Sequence, residues 1–247
     1  MAWRLSWSES GHVRMSEDVD FERAWLTKFS TLLDEVAGEG IREEVMQGSA
    51  SLSLSSSRDE VIHWTQGAME RLDSLVDGAT GRAILAGCAC QYPAAALQGA
   101  RKAYEESGYI DLAHRILQEQ FESFLREALE LDEELVEDVV NRGWGSAGVK
   151  EGSSMIATKI PKSGYLVEYL REEDPARKRQ LYCHCPRVRD ALKSSVSISP
   201  TYCYCGGGFY KGIWEEILQQ PVEVELLESV LQGDEVCKFA VFLPSGR

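Results

Sequence analysis

Apolar side chains change their spacing near residue 150. Before it the period is helical: Trp25, Phe29, Leu32, Leu33 and Val36 share one face, and Gly38 and Gly40 supply the stop. Ser57-Arg58-Asp59-Glu60 has the form of a capping box, in which the hydroxyl and the Glu carboxylate satisfy orphan amides of a new helix. Val61, Trp64, Ala68, Leu72, Leu75 and Val76 continue at helical spacing. Further helices are expected over 80–90, 93–106, 110–130 and 132–141, with the Ser-rich stretch from Gly48 to Ser57 as a connection.

Beyond Gly143, Gly145, Gly148 and Gly152, which mark a boundary loop, the period shortens to two. Ile156, Thr158 and Ile160 alternate, Pro161 to Gly164 turns the chain, and Tyr165, Val167 and Tyr169 alternate again, the pattern of a hairpin. A second hairpin is expected from Val222 to Leu231 and Val236 to Leu243 around Gly233-Asp234, with short helices at 186–194 and 207–219 between the two. The fold class is therefore α+β: an N-terminal helical region, 1–150, followed by an antiparallel-sheet domain with short helices, 151–247.

Charge sharpens that division. The chain carries 26 basic and 40 acidic residues, net −14; residues 1–150 hold 14 and 27 of them, residues 151–247 only 12 and 13. An acidic surface repels the phosphate backbone, so nucleic acid is not an expected partner. No apolar run approaches the roughly 20 residues that span a bilayer, so no membrane is expected either. The opening residues Trp3, Arg4, Ser6 and Trp7 lead into a polar, acidic stretch without the apolar core of a secretory signal, and a cytoplasmic location is expected. Seven cysteines is an odd count, and cytosolic thiols stay reduced, which makes a disulfide framework the weaker explanation.

Those cysteines carry the candidate chemistry. Cys183-His184-Cys185 and Cys203-Tyr204-Cys205 stand 20 residues apart, and Cys237 lies in the last expected strand. Soft thiolates suit zinc or, alternatively, an iron–sulfur cluster, so all five are candidate metal ligands. Each Cys-X-Cys pair is expected to split into a ligand and a buried partner. A catalytic thiolate is the other reading: Cys203 or Cys205 as nucleophile, with His184 and nearby arginines lowering its pKa. Arg187 and Arg189 are candidates for holding an anionic group, and Gly206-Gly207-Gly208 either lets backbone amides approach an anion or turns the chain. Tyr202, Tyr204, Phe209, Tyr210 and Trp214 line a pocket or belong to the core. Cys88 and Cys90, in an apolar helix, read as buried core, and His63 and His114 as surface or core residues.

Residues 201–244, TYCYCGGGFYKGIWEEILQQPVEVELLESVLQGDEVCKFAVFLP, resemble the end of the 4-vinyl-reductase-type domain, a small-molecule-binding α+β module. The matching positions are Cys203 or Cys205, Val222-Glu223-Val224, Gly233-Asp234 and Cys237-Lys238-Phe239. The resemblance implies aromatic ligands beside a zinc held by three cysteines and a glutamate, of which Cys237 and one of Cys203 and Cys205 match. Ser229 stands at the middle cysteine and Leu226 at the glutamate, so Cys183, Cys185 or Glu225 would have to complete the set. The paired YCHCPRVR and TYCYCGGGFY motifs are closer still to a bacterial group described as similar to L-2-amino-thiazoline-4-carboxylic acid hydrolases.

Three functions follow as expectations. The first is a small-molecule-binding protein with a cysteine-based, metal-associated site and an anionic ligand, its helical half covering the pocket. The second is a hydrolase of a small cyclic amidine or amide, working through a cysteine or a metal-activated water. The third is an interaction protein that uses its acidic helical surface, and a homodimer is a further partner expectation.

Overall fold

A computed structural model describes residues 21–53 and 55–244; Trp3 to Trp7, on which the expected location rests, lie outside them. In chain order the elements are α1 (Phe21–Ala37), α2 (Glu39–Val45), α3 (Arg58–Leu75), α4 (Gly78–Gly87), α5 (Ala94–Ser107), α6 (Ile110–Ser123) and α7 (Glu133–Asn141), then β1 (Val149–Glu151) and β2 (Ser154–Thr158). They continue as α8 (Leu166–Arg171), α9 (Pro175–Tyr182), α10 (Pro186–Ala191), α11 (Tyr204–Leu218), β3 (Glu223–Glu228) and β4 (Lys238–Phe242).

The helical half follows its capping signals. Gly38, at φ 90°, ends α1, and its N–H bonds the Leu33 and Asp34 carbonyls. It also opens α2, a helix the paired glycines had concealed. At α3 the capping box closes both ways, Glu60 N–H to Ser57 Oγ at 3.2 Å and Ser57 N–H to Glu60 Oε2 at 2.7 Å. The helix expected over 110–130 is α6, widened into a π turn at Phe124–Ala128.

The sheet is antiparallel throughout, in the order β1-β2-β4-β3. The C-terminal hairpin is present as expected, with a short 3₁₀ turn before Gly233 at φ 96°. The first hairpin differs. β2 pairs with β1 across Gly152-Ser153, and residues 165–169 enter α8 instead of forming a strand. Leu166 and Tyr169 are buried while Val167 is exposed, so the segment follows a spacing of three that an alternating reading overlooks. Asp174, whose side chain accepts from Arg177 N–H at 2.7 Å, and Pro175 then start α9, also unanticipated.

One continuous core joins the halves, from Phe29 and Leu33 through Trp214 to Phe239 and Val241. α11 is its axis, packed against α4 and α5 on one side and β3 and β4 on the other. The triple glycine makes this possible. A Cβ on Gly208 would stand 1.9 Å from the Ala86 carbonyl oxygen, while Gly206 and Gly207 lie under Phe239, at 3.1 and 3.2 Å. The glycines are thus a close-packing face, which replaces both the anion loop and the sharp turn considered from sequence.

Gly208→Ala is expected to destabilise the protein, at or above the upper end of the roughly 1–3 kcal/mol typical of overpacking, because the obstacle is backbone and cannot rotate away. Gly99→Ala, on an exposed face of α5, serves as the control and should be neutral or slightly stabilising. Urea midpoints of the two variants check both expectations, and equal midpoints would refute the packing role of Gly208.

Candidate functional site

The sulfurs occupy positions set by helix ends. Cys183, His184 and Cys185 form the link between α9 and α10, Cys203 closes a 3₁₀ turn, Cys205 lies in the first turn of α11, and Cys237 immediately precedes β4. Neither Cys-X-Cys pair lies in a strand. The Cys203/Cys205 pair divides, since side chains two apart on a helix point about 200° apart. Cys203 turns inward and its thiol donates to Cys237, whereas Cys205 turns to a cavity wall. Cys183 lies within electrostatic range of Cys185 and Cys237, and Cys205 of Cys185 and Cys90.

Cys88 matches its core assignment: it is buried, and its thiol donates to the Ile84 carbonyl at 3.3 Å. Cys90 does not, being exposed and set on the cavity wall with Cys205. His63 and His114 bond the Asp59 and Gly148 carbonyls, in keeping with their structural reading.

Sequence reasoning missed the residue these thiols surround. Lys159 follows β2, and its ammonium stands among Cys183, Cys237, Cys205 and Cys185. Burial works against its charge and the sulfurs around it act the other way, for a net shift upward. Its backbone is fixed by two bonds. Lys159 N–H donates to the Cys237 carbonyl at 2.9 Å, and the Tyr182 hydroxyl donates to the Lys159 carbonyl. The same buried hydroxyl accepts from Cys237 N–H at 2.9 Å, so one phenol sets both the lysine and the cysteine. A lone lysine in the run Met155-Ile156-Ala157-Thr158-Lys159-Ile160 was the available signal.

Charge placement separates the thiols. Burial, with Cys185 and Cys90 adding to it, pushes Cys205 up to about 12, although the Lys159 charge acts the other way. Cys203 is raised because its proton is committed to Cys237, and Cys237 is correspondingly lowered. Burial, and after it the Lys159 charge, pushes His184 down to about 3, while His184 Nε2 lies 2.9 Å from the Ile160 carbonyl. A thiol raised to about 12 and an imidazole lowered to about 3 do not form the thiolate–imidazolium pair that a Cys–His nucleophile needs.

The sulfurs do not fit the zinc site implied by resemblance. Among the described residues, no three His, Cys, Asp or Glu side chains converge as a metal-holding group. Ser229, fully buried, stands beside Cys203 where a thiolate would be needed, and Glu225 lies on the exposed face of β3. The cationic charge among the thiols belongs to Lys159.

A cavity of about 350 Å³ opens beside this cluster. Cys90, Tyr92, Phe121 and Phe124 come to it from the helical half, and Lys159, His184, Cys205, Phe209 and Tyr210 from the C-terminal part. The two arginines expected to hold an anion lie elsewhere. Arg187 is 3% exposed, stacks 4.1 Å from the Trp25 ring centroid, donates to Tyr202 and pairs with Glu22. Arg189 lies over Tyr165, 5.9 Å from its centroid. A broader groove of about 580 Å³ runs between α4, α11 and β3, but its Lys211 is already tied to Glu215 and the Val222 carbonyl.

A family model described as "Family of unknown function (DUF6144)" matches residues 152–245, the segment that carries both Cys-X-Cys motifs, Lys159 and Tyr210. No curated protein and no solved structure matches the chain. Among the described residues no helix is long and apolar enough to cross a membrane.

The depressed His184 makes stability depend on pH. The unfolded ring titrates near 6.5 and the folded one near 3, so the unfolded chain takes up the proton first. The associated stability is complete above 6.5 and drains away as the pH falls towards 3, amounting to about 2 kcal/mol lost by pH ~5. His184→Gln should shrink the drop in unfolding free energy between pH ~7 and ~5 by about that amount. Urea unfolding at the two pH values measures it, and an unchanged drop would refute the depressed imidazole.

Proposed function

We propose that the protein binds a small, largely apolar molecule in the cavity between its helical half and its cysteine-rich part. The observation that carries this reading is the cavity itself: about 350 Å³, walled by Tyr92, Phe121, Phe124 and Phe209, with a few polar groups gathered at Lys159. That size and that mixture are the ordinary features of a small-molecule site. The resemblance to a domain that binds aromatic ligands points the same way. In this reading the thiols form a soft, weakly polar wall and not a ligand set for zinc or an iron–sulfur cluster. Against the hydrolase alternative, its candidate nucleophiles Cys203 and Cys205 are both raised and His184 is lowered, the reverse of what a thiolate–imidazolium pair needs.

The test uses 2-naphthamide, an aromatic neutral probe, in calorimetric titration. Saturable binding to the full chain is expected, lost in Cys90→Trp, which fills the cavity from an exposed wall position, and retained in Cys90→Ala. Binding that survives Cys90→Trp, or no binding to the unaltered protein, would refute the proposal.

A further inference from the structure

The cavity wall carries two polar groups that nothing in the fold satisfies. Lys159 lines it, and among the described residues its ammonium has no carboxylate within ion-pair distance and no hydrogen-bond acceptor. Tyr210 also lines it, is 2% exposed, and its hydroxyl makes no hydrogen bond among the described residues. Its ring is held from two sides, edge-on to Phe209 at 5.4 Å and tilted over Phe239 at 5.5 Å, so the hydroxyl has a fixed direction. Both groups line the same cavity.

An ammonium and a hydroxyl that line a cavity without a protein partner are free to meet a ligand there. Outside the cavity, by contrast, Arg187 pairs with Glu22, and the buried Tyr182 hydroxyl bridges Lys159 and Cys237. Resting on the reading of the cavity as a ligand site, we propose that its ligand is an aromatic or otherwise apolar monoanion, a carboxylate seated between the Lys159 ammonium and the Tyr210 hydroxyl.

The wall decides between anion types. Lys159 is its sole Lys or Arg, so it balances one negative charge; a phosphate dianion would keep an uncompensated charge against Phe121, Phe124 and Phe209. No guanidinium reaches the cavity to offer a two-pronged grip, because Arg187 and Arg189 are engaged on Trp25 and Tyr165. What remains is a point charge plus one directional O–H donor, and a carboxylate has two oxygens to divide between them. The aromatic walls of the cavity, Tyr92, Phe121, Phe124 and Phe209, would take the ring.

The experiment compares 2-naphthoate with 2-naphthamide, which share a ring and differ in charge, by calorimetric titration of the full chain and of Lys159→Met, Lys159→Arg and Tyr210→Phe. We expect naphthoate to bind about tenfold more tightly than the amide. Lys159→Met should erase that preference and leave the amide within about twofold, Lys159→Arg should keep most of it, and Tyr210→Phe should reduce it about threefold. Equal affinity of the unaltered protein for the two probes, or an equal loss for both in Lys159→Met with its circular dichroism unchanged, overturns the carboxylate proposal while amide binding keeps the ligand cavity standing. If Lys159→Met fails to fold, Tyr210→Phe and the naphthoate–naphthamide ratio of the unaltered protein decide. If neither probe binds, the cavity reading falls and takes this inference with it.

Discussion

At Gly208 nothing but hydrogen separates α11 from the backbone of α4, and the arrangement of the two halves depends on that contact. Because Gly206 and Gly207 leave similar room for Phe239, the helix is pressed between α4 and the sheet without a side chain to hold either off. Cys205, in the first turn of the same helix, is thereby brought opposite Cys90, just past the end of α4. The cavity is the space left where the two surfaces diverge beyond their closest approach. Its position is a consequence of small residues, and its lining a consequence of the aromatic ones that flank them.

A second seam holds the N-terminal helix down. Glu22 and Trp25 of α1 engage Arg187, while Arg58 of α3 bonds both Glu22 and Asp190 of α10. Removing one member of a buried ion pair typically costs about 3–5 kcal/mol, because the other charge is left behind. The arginine-rich stretch in an otherwise acidic chain therefore serves, at Arg187, as a fastener between the halves.

Much of the fold was legible in the sequence because its signals are local. Capping residues at Ser57 and the helical spacing from Val61 to Val76 depend only on near neighbours, and so does the Gly233-Asp234 hairpin. The first hairpin misled because Tyr165, Val167 and Tyr169 satisfy period two, while the stripe that tertiary packing selected was Leu166 and Tyr169. The site was legible in part. Cysteine clustering marked the right region, yet no spacing rule connects Lys159 with residues 24 to 78 positions later, or Cys90 with Cys205. The glycine triplet was visible but ambiguous, since a loop, an anion cradle and a packing face use the same residue for the same lack of a Cβ.

The tightness of that glycine face also sets the size of the smallest piece that can stand alone. A fragment beginning near residue 150 would retain every C-terminal cysteine, the sheet and α11, but it would lose α4, α5 and α6. The face of α11 that packs on α4 and α5 would then be bared to water. The aromatic half of the cavity would be missing, and Lys159 would be an ordinary solvated ammonium. The matched module and the unit that encloses the cavity thus have different boundaries in this protein, and the acidic helices belong to the second.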